Sequence, residues 1–200
     1  MAASIDAGLD RRSRVLRAAL VVAAESEPGQ MRVADIAALA GMSPGHVMYY
    51  FERRDRILSE TLLYAENELV RRRNRLVTAA AGDPVRAVAG LVRLYLPRGS
   101  GDPRWRLWAQ LLASPPADDA TIAAYTLVVD SWSDALTAVL QRGDAAGCFT
   151  TRTPERTAYR ACRLMDGLAL EVLLGNSRRT RAWAVTETLD ALGDWLDTTW

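Results

Sequence analysis

The chain has 200 residues, half of them hydrophobic, with 25 basic and 24 acidic side chains and a net charge of +1. That length and apolar content suit a folded chain of one or two small cores, and so balanced a charge excludes a protein that coats nucleic acid over its whole surface. Two cysteines, Cys148 and Cys162, outside any C-x-x-C spacing, with one histidine, argue against a zinc site or a disulfide framework. No apolar run reaches membrane-spanning length, and Arg17 interrupts the one segment that imitates a secretory leader. A cytoplasmic, all-α protein without cofactor, metal or membrane contact is expected. All its cations except His46 are arginines, which reads as a compositional bias toward Arg and Ala more than as phosphate chemistry.

No segment alternates like a strand, and about nine helices are predicted. The first covers residues 10–25, with Val15, Leu16, Ala19, Leu20 and Ala23 inward, and stops at Glu27-Pro28-Gly29. Residues 33–52, VADIAALAGMSPGHVMYYFE, carry the most information. Ile36, Ala37 and Ala40 give a short helix one inward face. Gly41 then supplies the positive φ that a sharp turn between crossed helices needs. Met42 plugs back into the core, Ser43 is a helix N-cap, and Pro44 sits at the first helical position. Val47, Tyr50 and Phe51 repeat at three and four residues, leaving Gly45, His46, Met48 and Tyr49 outward or on the flanks. Seven residues cannot hold a helix alone, so neighbours prop it and its outer face is left to touch something.

A long fourth helix follows over residues 54–80, with Ile57, Leu58, Leu62, Ala65, Leu69 and Leu76 inward and Arg71, Arg72, Arg73 and Arg75 on a solvated face. Gly82-Asp83-Pro84 breaks the chain. Residues 84–96 read as a fifth helix, 97–103 as a loop and 104–113 as a sixth helix. Pro115-Pro116 ends that helix, and a long seventh starts at Asp118 with Ile122, Tyr125, Val129, Trp132, Leu136 and Val139 in register. Residues 143–151 read as a loop. Thr153-Pro154-Glu155 opens an eighth helix, and residues 180–196 form a ninth. The expected division is an N-terminal helix-turn-helix domain at 1–53, a connecting helix at 54–80, and a C-terminal domain at 81–200.

Residues 11–60 resemble the DNA-binding domain of the TetR family of transcriptional repressors. The matching letters are Ile36-Ala37, Ala40-Gly41-Met42-Ser43-Pro44-Gly45, Tyr49-Tyr50-Phe51 and the basic Arg54 that opens the fourth helix. Further along, the W-x-L-W run at Trp105–Trp108 and the D-G-L-A-L segment at Asp166–Leu170 are similar to the C-terminal domains of the branch that contains choline-responsive repressors. The resemblance implies a homodimer whose paired recognition helices read a palindromic double-stranded DNA operator, and release of that operator by a small-molecule effector. Carried over by position, it implies phosphate contacts from Arg32 and Arg54. His46, Tyr49 and Tyr50 would meet backbone or sugar, with Ser43, Pro44, Gly45 and Met48 toward base edges. The family often has Thr or Ser at the place of Arg32 and usually Tyr at that of Met48. Met48 offers apolar contact alone, so operator sequence does not transfer from relatives. The other reading of His46 is a buried histidine with a satisfied ring.

The eighth helix is apolar on two sides and must be covered on two fronts. Ala158, Ala161, Cys162, Met165, Leu168, Ala169 and Val172, with Val185, Leu189, Leu192 and Leu196 of the ninth, are the expected dimer interface; a monomer with a thick core is the alternative. Leu91, Tyr95, Trp105, Trp108, Leu112, Tyr125, Trp132 and Met165 are expected to wall a cavity for a largely apolar or cationic effector, although aromatics at this spacing are equally ordinary core. Asp166 either binds a ligand cation or pairs internally, with Arg163 or an arginine of the sixth or seventh helix. An enzyme lacks a convergent catalytic set here. A helical protein-interaction module without specific DNA binding remains the alternative.

Overall fold

The computed structural model describes residues 10–27, 29–113 and 119–198, save the side chains of Glu68, Ala120 and Thr121. The expected stops at Pro28 and Pro115-Pro116 and the start at Asp118 lie outside the described residues. Among those described there are nine helices and no strand: α1 Arg11–Glu25, α2 Val33–Ala40, α3 Pro44–Phe51, α4 Arg54–Ala79, α5 Pro84–Tyr95, α6 Pro103–Ala113, α7 Asp119–Ala145, α8 Pro154–Leu173 and α9 Arg181–Leu196. Side-chain caps account for several of the starts. Side chains of Asp10, Ser43, Asp83 and Thr180 each accept from an amide three residues on, so the first orphan donors of α1, α3, α5 and α9 are satisfied.

The chain divides into two compact units, one comprising Met1–Glu66 and Gly101–Tyr125, the other Asn67–Ser100 and Thr126–Trp200. These do not coincide with the expected division at 53 and 80, because α6 belongs with the N-terminal helices. The reason is polar as well as apolar. Gln110, fully buried, donates to Glu27 O at 2.8 Å and accepts from Gly29 N at 2.7 Å. Arg106 donates to Ser26 O at 2.7 Å. Arg104 makes a buried ion pair with Glu66 at 3.1 Å. In this unit α1 packs on α2 and α6, and α2 on α3. Its core holds Val15, Leu16, Ala19, Ile36, Ala37, Val47, Phe51 and Ile57.

In the second unit α9 packs against α8 and α5, around Val88, Leu91, Val92, Leu136, Val139 and Leu140. Four expectations are corrected. Residues 143–145 are not loop but the end of α7. The ring of Phe149 lies so close to Gly143 that a Cβ there would run into it, so this glycine marks a close approach and not a break. Ile122 on α7, expected inward, is 49% exposed. Arg73, expected on a solvated face with Arg71, Arg72 and Arg75, is buried; the other three are exposed. The stripe of Ala158, Ala161, Cys162, Met165, Leu168, Ala169 and Val172 on α8, with Leu189, Leu192 and Leu196 on α9, is buried within the single chain, and Val185 is half-buried. It is the chain's own core and not a face left for a partner. The face of α8 left open carries Tyr159, Arg163, Gly167, Leu170 and, just past its end, Leu174.

Candidate functional site

The candidate DNA-binding surface is built on α3. Gly41 turns the chain out of α2 at φ 67°, and its amide and that of Met42 close onto Ala37 and Ala38 carbonyls. Ser43 is extended, and its hydroxyl accepts from the His46 amide at 3.2 Å. Val47 and Phe51 anchor α3 with no exposed surface. This fixes which side faces out. Ser43, Pro44, Gly45 and His46 are exposed, Tyr49 is 80% exposed, and Met48 and Tyr50 are half-buried. The His46 ring stacks on Tyr50 at 5.3 Å, with Tyr49 edge-on to Tyr50 at 5.7 Å. The buried-histidine reading therefore fails: His46 belongs to an exposed aromatic ledge.

The arginines around α3 are unequal. Arg12 donates to Tyr50 O and Glu60 and lies 4.7 Å over the Phe51 ring. Arg56 pairs with Glu52 and Glu60, and Arg53 with Asp55, whose carboxyl the Arg53 hydrogen bond holds below its usual pKa. Arg54 donates to Met31 O at 3.1 Å and Gly29 O at 3.5 Å, tying the start of α4 to the segment that leads into α2. Arg32, the extended residue before α2, is exposed, as are Arg11 and Arg17. Glu52, between α3 and α4, has φ 62°, where Arg53 N closes on Phe51 O at 2.6 Å in a γ-turn.

The expected effector residues divide between the two units. Trp105, Trp108, Leu112 and Tyr125 belong to the first. There Trp105 is buried under Arg104, Trp108 meets Tyr125 edge-on at 4.9 Å, and Leu112 is 63% exposed, so it faces outward and walls nothing. Burial pushes the Tyr125 hydroxyl up to about 12. Leu91, Tyr95, Trp132, Met165 and Asp166 belong to the second unit, and four of them are buried. Tyr95 donates to Asp166 at 2.6 Å and meets Trp132 edge-on at 5.1 Å. The Tyr95 hydroxyl is held well above its ordinary value, first by burial and then by the Asp166 charge. Asp166 pairs internally with Arg163 at 3.1 Å, both side chains being more than a third exposed. Sequence reasoning missed Arg73, whose guanidinium lies 4.8 Å over Trp132 and donates to Ser131 Oγ at 3.0 Å. Its signal was register: Arg73 falls four residues after Leu69 and three before Leu76, on the inward stripe of α4. A separate cleft of about 410 Å³ opens at the start of α8 between Thr153, Arg160 and Trp195, and none of the expected residues lines it. Among the described residues no acidic, His or Cys cluster could hold a metal ion, and no helix is long and apolar enough to cross a membrane.

Residues 84–197 match the family model of the BetI-type transcriptional repressor C-terminal domain. The chain belongs to the TetR family of transcriptional regulators. Solved structures agree in fold. A transcriptional regulator from Saccharomonospora viridis, in complex with choline, is 24% identical, with 92% of this chain and 96% of that one covered and a TM-score of 0.79. A TetR transcription regulator from Haloarcula marismortui is 21% identical over 94% and 98%, with a TM-score of 0.77. One from Rhodococcus sp. is 21% identical over 93% and 98%, at 0.73. No curated protein matches the chain. This TetR-family chain is thus a regulator of transcription with an all-helical fold, and the family is not one of enzymes.

Proposed function

We propose that this chain is a homodimeric repressor that reads a palindromic operator with α3 and leaves it when a small organic cation binds the second unit. The exposed ledge of His46 and Tyr49 beside Gly45, on a helix clamped from behind by Val47 and Phe51, carries the reading. Phosphate contacts come from Arg32 and the amides at the helix starts; Ser43, Pro44, Gly45 and Met48 meet base edges, and Tyr49 and Tyr50 meet backbone or sugar. Two such helices about 34–36 Å apart enter successive major grooves. Tyr95, Trp132, Met165 and Asp166 supply an aromatic and acidic surface suited to a cation, and the Saccharomonospora viridis relative is in complex with one, choline. Leu170 and Tyr159 on α8, Leu174 just past its end and Trp195 on α9 are exposed and supply the dimer contact.

Fluorescence anisotropy against DNA from upstream of the chain's own gene tests this. A site bound at least about a thousandfold more tightly than scrambled DNA is expected. Equal binding to all sequences would leave a helical interaction module without specific DNA binding. Met48→Ala is expected to change sequence preference, while Arg32→Ala weakens all sequences alike.

A further inference from the structure

A guanidinium inside an aromatic core is costly unless something compensates its desolvation. Arg73 is only 7% exposed and lies 4.8 Å over the Trp132 ring, which is itself 4% exposed. The same Trp132 meets the edge of Tyr95, and Tyr95 donates to Asp166. Ser131 anchors the arrangement: its hydroxyl accepts from Arg73 at 3.0 Å and donates to Val128 O at 2.7 Å. On the far side of Asp166 a second arginine, Arg163, is paired at 3.1 Å and lies over the Tyr159 ring. The aromatic face and the carboxylate that an organic cation needs are thus each engaged by a cation of the chain itself.

We propose that Arg73 is the internal stand-in for the effector: it occupies the Trp132 ring in the effector-free protein, and an organic cation bound at Tyr95, Trp132 and Asp166 displaces it. The proposal rests on the cationic-effector reading above and adds how binding is registered. Two cations cannot share one ring face, since their repulsion in a poorly solvated site outweighs either attraction to the ring. Arg73 is part of α4, the helix that begins at Arg54 immediately after the γ-turn closing α3. Expelling its side chain is therefore an event on the helix joined directly to the reading head. An effector acts here through differential affinity for the two positions of one arginine.

The test uses the full chain, freed of small molecules by dialysis, with choline and tetramethylammonium as probes. Binding is measured by calorimetry, and anisotropy follows DNA from upstream of its own gene. Arg73→Gln removes the competitor, so choline affinity is expected to rise roughly threefold to thirtyfold, the span of a cation–aromatic contact. DNA affinity without choline is expected to fall to within about twofold of choline-bound wild type. Ser131→Ala, a milder change at a half-exposed site, shifts both in the same direction by about twofold and carries the test if Arg73→Gln fails to fold. Choline binding to wild type with no gain in Arg73→Gln overturns the stand-in while leaving the effector reading intact. So does a gain in affinity with an unaltered DNA response, which is charge repulsion alone. Failure of both cations to bind wild type overturns the effector reading itself.

Discussion

Single side chains here answer to burial before they answer to type. Cys162 is 1% exposed, and burial, reinforced by the Asp166 charge, pushes its thiol from an ordinary 9.0 up to about 12, whereas Cys148 is exposed. A thiolate-specific reagent at pH 8 is expected to titrate one sulfhydryl in the native protein and two in denaturant; two fast-reacting native thiols would refute the packing of α8. The same shift sets an alkaline limit. Cys162 and Tyr95 both have folded pKa values above their unfolded ones. Their contribution is full below about pH 9 and is lost as pH rises toward the folded values, because the unfolded chain releases those protons first. The denaturant midpoint should be level from pH 7 to 8.5 and fall between pH 9 and 11. Gly143 shows the same rule in reverse. Gly143→Ala puts a methyl into the Phe149 ring and is expected to cost about 1–3 kcal/mol by equilibrium unfolding.

At the scale of helices, α8 explains both what was legible in the sequence and what was not. Its start was readable because Pro154 and Glu155 are local signals, although Thr153 makes no capping hydrogen bond, and Ala158 to Val172 were readable as one stripe because helical spacing is local too. Which of two apolar sides meets the chain's own core is not local. It depends on α9, which fills one side with Leu189, Leu192 and Leu196 and leaves Tyr159, Leu170 and Leu174 uncovered. The α3 ledge was legible because a Ser-Pro start fixes the helix phase and two buried residues fix its orientation. Arg73 was not, because a run of four arginines in five residues reads as solvated unless the leucine register is followed through it. The two sides of α8 make opposite predictions. Leu170→Asp is expected to lower the molar mass in light scattering from dimer to monomer with little change in melting temperature. Ala161→Asp buries an unpaired charge at a site with no exposed surface and should lose about 3 kcal/mol or more of stability. A Leu170→Asp protein that stays dimeric would return the interface to other surfaces.

For the molecule as a whole, the balance of charge decides how it can hold DNA. With 25 arginines against 24 acids, no long-range field holds the duplex, so affinity must come from cations on one face. Eight arginines lie in or beside the helix-turn-helix, and counting them all would suggest a steep salt dependence. The structure reduces that number. Arg12, Arg53 and Arg56 are held by Glu60, Asp55 and Glu52, and Arg54 by the Met31 and Gly29 carbonyls. Arg14 is half-buried, while Arg11, Arg17 and Arg32 are exposed and make no ion pair among the described residues. Three such cations on each of the two heads of the proposed dimer, at about 0.9 released counterion per phosphate, give an expected slope of about −5 for log affinity against log salt. Anisotropy titrations from 50 to 300 mM salt measure it. Arg32→Ala should reduce the slope by about 2 in the dimer, one phosphate from each head. Arg54→Ala should leave the slope nearly unchanged and instead lower the melting temperature, since that guanidinium is already engaged by the Met31 and Gly29 carbonyls. A slope near −10 would mean that the paired arginines exchange their carboxylates for phosphates on binding, and that Glu60, Asp55 and Glu52 hold them in reserve until DNA arrives.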